Sequence, residues 1–434
     1  MTINDVRRAL KGRVILPGDD GFEQASTAWN LTVRQPVAAV VEAADADDVA
    51  ALVRYARRTG LTVTAQPSGH GASGEVEGLI LLRTGLLNEV EVRAEERVVR
   101  VGAGATWGQV LQATGPLGLT GLAGSAPGVS VTGYTLGGGV GWFSRRYGFA
   151  SDSVRAFDIV DADGGQARVS AESDPELFWA LRGGGGDFAL VTALELDLFP
   201  APTLYGGRVV WPEHRTRQVY DAFLELTAEA PRELSVWINR LQPPGGSPIV
   251  TLDLAYLGEE VYAQDLLTRL DAIGDAIADT RGVLPVAELG RIAAEPTDPA
   301  PSIIRAELLT GLHADAVESL LAKPVAPLIN VQIRHLGGAL AEPAAGASGA
   351  LAEPYLLSMV GLGLPHTADA TRAKQAEVVA DLGALVSGRK PYTVLSPGDT
   401  AAQAFDDGTL ARLREIKRDR DPHHVLRANY PVLG

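Results

Sequence analysis

Two glycine-rich segments lie in the first third of this 434-residue sequence. The first, residues 66–74, follows the apolar run 61–65 and holds a single histidine, His70, among three glycines. The second, residues 124–141, contains seven glycines. Because glycine lacks a Cβ, such segments let the backbone approach an anion and direct several N–H groups at it. Two of them indicate a binding site for a large, phosphate-bearing cofactor.

Composition limits the partners of the chain. A net charge of −15 argues against nucleic acid and anionic membranes, since both favour clustered Lys and Arg. No run of 18 or more apolar residues predicts a membrane span. The charged segment 1–13 lacks an apolar core, which predicts an amphipathic helix rather than a signal peptide. We therefore expect a cytoplasmic protein whose partner is a small-molecule substrate.

Several chemistries are excluded by the residue inventory. The sequence has no cysteine, which excludes disulfides, thiolate metal sites, iron–sulfur clusters and a cysteine nucleophile. The histidines other than His70 show no paired-ligand spacing, and no serine lies in a G-x-S-x-G turn. The sequence therefore predicts neither a metal site nor a serine hydrolase.

A third glycine segment, residues 102–108, imitates a dinucleotide fingerprint. Its last glycine comes one residue late for G-x-G-x-x-G, and glycines at 121–124 occupy the region where a ribose-binding acid is expected. A nicotinamide-dependent dehydrogenase is thus an alternative with weak support.

Hydrophobic periodicity predicts an α+β fold, and the length predicts two domains. A helix signal extends from Asp45 to Gly60, where glycine suits the C-terminal cap. Short strands are predicted at 61–65, 87–92, 97–101, 156–161, 167–170 and 190–199. Beyond Pro202, longer strands (235–240, 249–257) and a long helix (259–273) indicate a second domain, and a final helix is predicted at 407–419.

Together these segments resemble the FAD-linked oxidases with a PCMH-type (vanillyl-alcohol-oxidase-type) FAD-binding domain, in the berberine-bridge-enzyme-like branch that includes 6-hydroxynicotine oxidase. The resemblance is carried by segments 15–19, 66–74, 124–148, 174–188 and 412–422. It implies an FAD-binding domain in two parts, residues 1–200 (core about 33–200) and 405–434. Residues 201–404 would form an α+β substrate domain whose antiparallel sheet is covered by helices.

The resemblance implies FAD bound covalently through a single tether, from its 8α-methyl group to a ring nitrogen of His70. A cysteine tether is impossible, and Ala126 stands where doubly tethered relatives have cysteine. Relatives have asparagine where Asp187 stands here and histidine where Tyr134 stands. The residues that the resemblance assigns to the cofactor are His70, Gln66, Pro67, Ser68, Gly69, Gly71, Ala72, Ser125, Ser130, Thr132, Gly133, Tyr134, Gly137, Gly138, Gly141, Val191 and Asn429.

The implied reaction is hydride transfer from a small amine or alcohol, such as a secondary-metabolite intermediate, to flavin N5, with dioxygen as acceptor. Of the Tyr-x-Asn-Tyr motif that supplies a base in relatives, segment 391–399 keeps only Tyr392, the candidate base. Because a neutral amine needs no strong base, this departure favours amine oxidation. Candidate pocket residues in the second domain are Trp211, Trp237, Arg305 and Tyr355.

Two alternatives within the flavoproteins stay open at this point. One is a flavin-binding protein without turnover, serving as a ligand-binding or carrier module. The other is a flavin dehydrogenase that does not use oxygen.

Overall fold

The structure, a computed structural model, describes residues 6–8 and 10–434. Residues 1–5 and 9 of the helix predicted over residues 1–13 fall outside the described residues, and Arg13 already begins a strand. The fold combines helices with both mixed and antiparallel sheets, which confirms the predicted α+β class.

The first sheet lies in the N-terminal part of the chain. Its elements are β1 (Arg13–Ile15), α1 (Phe22–Ser26), β2 (Ala39–Glu42), α2 (Ala46–Thr59), β3 (Val63–Ala65) and β4 (Ile80–Arg83). The strand order is β1-β2-β4-β3, and β2, β4 and β3 are parallel. α2 begins after Asp45, whose carboxylate accepts the N–H of Asp48, and ends at Gly60 with φ of 70°. The cap at Gly60 is the one that the sequence predicted, and Asp45 caps the helix where the predicted helix begins.

The second sheet is antiparallel and follows directly. The elements of this region are β5 (Val90–Arg93), β6 (Val98–Gly102), α3 (Trp107–Thr114), β7 (Leu119–Thr120), α4 (Val131–Leu136), α5 (Ser144–Tyr147), β8 (Val154–Val160), β9 (Gln166–Ser170), α6 (Pro175–Leu181), β10 (Leu190–Asp197) and β11 (Phe199–Pro200). The order is β5-β6-β10-β8-β9, while β7 and β11 pair separately. Trp107, Phe157 and Phe178 anchor its core.

The third sheet is the largest. Its elements are β12 (Leu204–Pro212), α7 (Thr216–Ala228), β13 (Leu234–Leu241), β14 (Ile249–Leu257), α8 (Glu260–Asp271), β15 (Ala278–Asp279), β16 (Gly282–Val283), β17 (Ser302–Leu309), α9 (Ala314–Leu321), β18 (Leu328–His335), β19 (Tyr355–Leu362) and α10 (Ala368–Leu382). The order is β15-β12-β14-β13-β18-β19-β17, with β16 beside β12, and all pairs are antiparallel.

The two faces of this third sheet differ in chemistry. Val236 and Ile238 of β13 belong to the apolar core under the helices. Trp237 lies on the opposite face and belongs to the core of the second sheet instead. We call this opposite face the inner face, because it is turned toward the part of the chain that holds the glycine-rich segments.

The C-terminal segment returns to the first sheet. α11 (Asp407–Arg420) is followed by a chain that pairs with β3, where the N–H of Val63 donates to Val425 O at 2.8 Å and the N–H of Arg427 donates to Val63 O at 2.9 Å. A buried ion cluster secures this return. Lys417 Nζ lies 2.8 Å from Asp421 Oδ2 and donates to the carbonyl of Asp187 at 2.7 Å.

One arginine joins the second and third sheets. Arg145 of α5 is buried and donates from Nε to Leu234 O at 2.8 Å and from Nη2 to Ala230 O at 3.0 Å. Its Nη1 group also donates to Leu336 O and lies 3.1 Å from Nε2 of His335. The segment 341–350 packs on α6, where the N–H of Ala347 donates to Trp179 O. Within the described residues, none of the helices has the length and apolarity of a membrane span.

Candidate functional site

His70 lies in the glycine-rich loop that follows β3. Its ring stacks on Trp29, with 4.7 Å between ring centroids and 19° between planes. Nδ1 lies 2.9 Å from Ser68 Oγ. Burial lowers the pKa of His70 to about 4, so that the imidazole is neutral at pH 7. The loop therefore presents one neutral, fixed imidazole.

The loop is braced from both ends of the chain. Arg83 donates to the carbonyls of Gln66, Ala25 and Thr27 at 2.9, 3.0 and 2.7 Å. Gln66 Nε2 donates to Asn429 Oδ1 at 2.8 Å. Two predicted site residues, 363 positions apart, thus contact each other directly. The side-chain oxygen of Gln66, Oε1, is buried without a hydrogen-bond partner among the described residues.

The second glycine-rich segment folds around Tyr134. A Cβ at Gly139 would lie 2.4 Å from Cε1 of this ring, and one at Gly141 would lie 2.7 Å from its hydroxyl oxygen. The ring also contacts Trp107 edge-on, with centroids 5.7 Å apart. Glycine is therefore required at 139 and 141 by packing of the protein itself.

Other glycines have no such steric requirement. A Cβ at Gly71 or Gly128 would meet no heavy atom within 4 Å, and one at Gly133 would meet only Ser130 Oγ, at 3.3 Å. Ser130 caps α4 by accepting the N–H of Gly133 at 3.1 Å. Open space beside a glycine backbone suits the approach of a ligand. Gly71 and Gly133 are the predicted site residues with this property.

The other predicted cofactor residues lie in the same two segments or beside them. Gly137 and Gly138 pack against Thr393 and Ser348, at the border with the third sheet. Gly69 adopts φ of 74°, which turns the His70 loop. Among the predicted residues, Ala72, Ser125, Ser130, Thr132 and Val191 are buried, and Pro67 is half-buried.

Unpartnered polar atoms show that these segments fit a polar cofactor. Thr132 Oγ1 and the Tyr134 hydroxyl are buried without a hydrogen-bond partner among the described residues, as is Gln66 Oε1. A buried polar group left unpaired costs roughly 1–3 kcal/mol. All three lie in the two glycine-rich segments, which also contain the open Gly71, and a polar ligand such as FAD would supply the missing partners.

The dinucleotide-like segment 102–108 has a different explanation. A Cβ at Gly102 would lie 2.3 Å from Leu87 O, and one at Gly104 would lie 2.1 Å from Thr84 O. Both glycines therefore allow two backbone strands to pack closely. This removes the support for a nicotinamide site there.

Tyr392, the candidate base, is held in the core. Its hydroxyl donates to Tyr430 O at 2.7 Å, and a Cβ at Gly185 would lie 2.5 Å from the hydroxyl oxygen. Burial, together with the negative charge of Asp187, raises the pKa of Tyr392 well above its usual range. A catalytic role for Tyr392 stays a prediction, and in this geometry its proton is held by the C-terminal segment.

The inner face carries a polar network that sequence reasoning missed. Arg208 forms a two-bond ion pair with Asp253, at 2.5 and 2.7 Å. Asn239 donates to Asp253 and accepts from Gln332 at 2.7 Å, and Arg334 Nε donates to Gln332 Oε1 at 2.5 Å. Polar and apolar residues alternate along β18, and this period of two was the available signal.

Aromatic stacking connects the inner face to the second glycine-rich segment. Trp237 stacks on Trp142, with centroids 3.6 Å apart and planes at 11°, and the Arg334 guanidinium lies 4.1 Å from the Trp237 ring centroid. Of the predicted pocket residues, Trp237 is placed here. The prediction is wrong for Trp211 and Tyr355, which pack in the core under the helices.

Arg305, the fourth predicted pocket residue, forms an ion pair with Glu307 on strand β17. Its cross-strand partner, Met359, belongs to the core under the helices. Arg305 therefore lies on the face opposite to Trp237, and the prediction is wrong for it as well.

Comparison with known proteins shows which kind of domain contains the two glycine-rich segments. Residues 37–170 match the family described as FAD binding domain. The chain is 25% identical to (R)-6-hydroxynicotine oxidase of Paenarthrobacter nicotinovorans, over 98% of this chain and 97% of that protein. It is 38% identical to an FAD-dependent monooxygenase of Fusarium proliferatum, over 50% of this chain and 43% of that protein.

The fold is similar to that of a BBE-like protein from Physcomitrella patens, with a TM-score of 0.87 and 19% identity, covering 100% of this chain and 99% of the other. The predicted resemblance is thereby confirmed, as is the prediction of an FAD-dependent enzyme. Residues 37–170 are therefore an FAD-binding domain, and nearly the whole chain resembles a 6-hydroxynicotine oxidase and a BBE-like protein.

Proposed function

We propose that this enzyme is an oxidase that carries FAD on His70 and uses dioxygen to reoxidise it. The observation that carries the proposal is the neutral imidazole of His70, fixed by Trp29 and Ser68 beside the open backbone of Gly71. A deprotonated ring nitrogen is the nucleophile that a bond to the flavin 8α-methyl group requires. That bond would replace a C–H bond of the methyl group, and dioxygen would take up the two electrons released. The low pKa of His70 keeps that nitrogen unprotonated at physiological pH.

The bound flavin supplies the redox chemistry by accepting hydride from the substrate. The protein supplies binding and orientation. Gln66, Thr132 and Tyr134 have polar atoms free to bind the cofactor, and the inner face closes the other side of the site. Since the Tyr392 proton is held by Tyr430 O, the geometry favours a substrate such as a neutral amine, which needs no strong base.

The tether is tested by acid denaturation of aerobically purified protein, followed by peptide mass analysis. We expect flavin to remain on the peptide that contains His70. His70→Ala should release all flavin into the acid supernatant, whereas His366→Ala, which alters an exposed histidine, should retain it. Free flavin from the native protein would refute the tether.

The reaction is tested by mixing the holoenzyme with amines and alcohols without oxygen. Loss of visible flavin absorbance would establish hydride transfer. Its return on admission of oxygen, with release of hydrogen peroxide, would establish an oxidase. Bleaching without reoxidation would instead establish a dehydrogenase, and no bleaching by any substrate would favour a flavin-binding protein without turnover.

A further inference from the structure

The inner face contains a cation whose hydrogen-bonding capacity is largely unused. A guanidinium has five N–H donors in a planar fork. Arg334 uses Nε for Gln332, and its Nη groups donate no hydrogen bond to any residue in the described part of the chain. The nearest carboxylate, Glu295, forms only a loose ion pair at 3.9 Å. By contrast, Arg208 on the same face donates from Nε and Nη2 to Asp253 and from Nη2 to Ala293 O.

Stacking fixes the plane of this guanidinium. Arg334 lies on the Trp237 ring, and Trp237 lies on Trp142 of the glycine-rich segment. In a stacked guanidinium the N–H groups point outward in the guanidinium plane, parallel to the ring, which suits a planar acceptor. The Arg334 side chain is 17% exposed, so the guanidinium is not completely enclosed by the protein.

A second unused donor lies nearby. The Tyr134 hydroxyl has no hydrogen-bond partner among the described residues. Burial raises the pKa of Tyr134, while the charge of Arg334 opposes this rise, so the two groups are close enough to interact. Because the phenol stays protonated, it can donate. Trp237, on which Arg334 stacks, also stacks on Trp142, which directly follows the glycine-rich segment that holds Tyr134, so both groups lie where the inner face contacts that segment.

We propose that Arg334 determines substrate specificity by binding a carboxylate, so that the substrates are carboxylate-bearing amines or alcohols. The inference rests on the proposed function, since it places the substrate between the inner face and the flavin. The fork of Arg334 matches the two oxygens of a carboxylate, and such charge-assisted pairs are about twice as strong as neutral hydrogen bonds.

The test uses the purified holoenzyme with benzoate as a probe and benzamide, a neutral molecule of the same shape, as the matched ligand. Binding is read from the change in flavin absorbance and from the melting temperature. We expect benzoate to bind more tightly than benzamide, and Arg334→Gln to weaken benzoate at least tenfold while leaving benzamide unchanged. Arg291→Gln, at an exposed arginine of the same domain, should change neither.

Equal binding of benzoate and benzamide, or unchanged benzoate binding by Arg334→Gln, would overturn the inference. Arg334→Lys provides a second variant if the glutamine variant does not fold, and it should bind benzoate less tightly than the native enzyme but more tightly than benzamide. If the native protein holds flavin and turns over but does not discriminate the two probes, only this inference fails. If it holds no flavin, the proposed function fails separately, and the melting temperature still reports benzoate binding.

Discussion

Asp187→Asn tests the ion cluster that fastens the C-terminal segment. The Asp187 carboxylate is buried and accepts the N–H groups of Ala428 at 2.9 Å and Val432 at 3.0 Å, one on each oxygen. Its Oδ1 also lies 3.6 Å from Lys417 Nζ. Asparagine keeps one oxygen and replaces the other with an NH₂ donor. In either orientation of the amide, one backbone N–H then faces a donor.

The expected cost follows from these contacts. A hydrogen bond to a charged group contributes about 1.5–3 kcal/mol, and a buried donor left unpaired costs roughly 1–3 kcal/mol. Lys417 retains Asp421 at 2.8 Å, so the full cost of breaking a buried ion pair does not apply. We therefore expect a loss of about 3 kcal/mol. With an unfolding entropy of about 2.1 cal/mol/K per residue, a chain of this length should lose about 3 °C in melting temperature.

Hydrogen exchange gives the sharper assay, because the damage is local. Amides of residues 428–432 should exchange about a hundredfold faster in Asp187→Asn, since every 1.4 kcal/mol is tenfold. Flavin retention should also fall, because Asn429 lies in this segment and contacts Gln66. Asp369→Asn, at a fully exposed carboxylate, is the control and should change nothing. Native exchange rates at residues 428–432 in Asp187→Asn would refute the reasoning.

Two further predictions concern protonation and glycine. Burial, followed by the charge of Arg145, lowers the pKa of His335 to about 3, below its unfolded value of about 6.5. The contribution of neutral His335 to the free energy of unfolding is therefore complete above pH 6.5. It decreases by about 1.4 kcal/mol per pH unit as the pH falls toward 4. When the free energy of unfolding is plotted against pH, His335→Gln should have a shallower slope than the native protein. Identical slopes would contradict this. Gly139→Ala should lower the melting temperature by colliding with Tyr134, whereas Gly71→Ala should leave the flavin-free protein as stable as before and reduce flavin content. Equal melting temperatures for these two variants would show that the open and packed glycines are wrongly distinguished.

Local signals in the sequence were sufficient for individual elements. The helix over 46–59 could be predicted because Asp45 and Gly60 cap it with their own side-chain and backbone chemistry. The strand at 249–257 matches the predicted bounds, since turn residues flank a largely apolar run that only Thr251 and Asp253 interrupt. Such features depend on neighbours a few positions away.

The inner face could not be predicted in this way. Gln332 and Asn239 meet because β18 lies beside β13, although 93 positions separate them in the chain. Each strand alone shows polar residues at every second position, which is equally typical of a face in water. The roles of Gly133 and Gly139 were also indistinguishable in sequence, because only the position of the Tyr134 ring separates them.

Because the C-terminal segment pairs with β3, the site around His70 is completed late in the synthesis of the chain. The His70 loop is synthesised early, but its backbone edge at Val63 and its brace at Gln66 are completed by Val425 and Asn429, which leave the ribosome some 360 residues later. Domains generally fold as units while the chain emerges. The site around His70 therefore stays incomplete until residues 425–429 have been synthesised. We expect stable cofactor binding only after this late segment has joined β3.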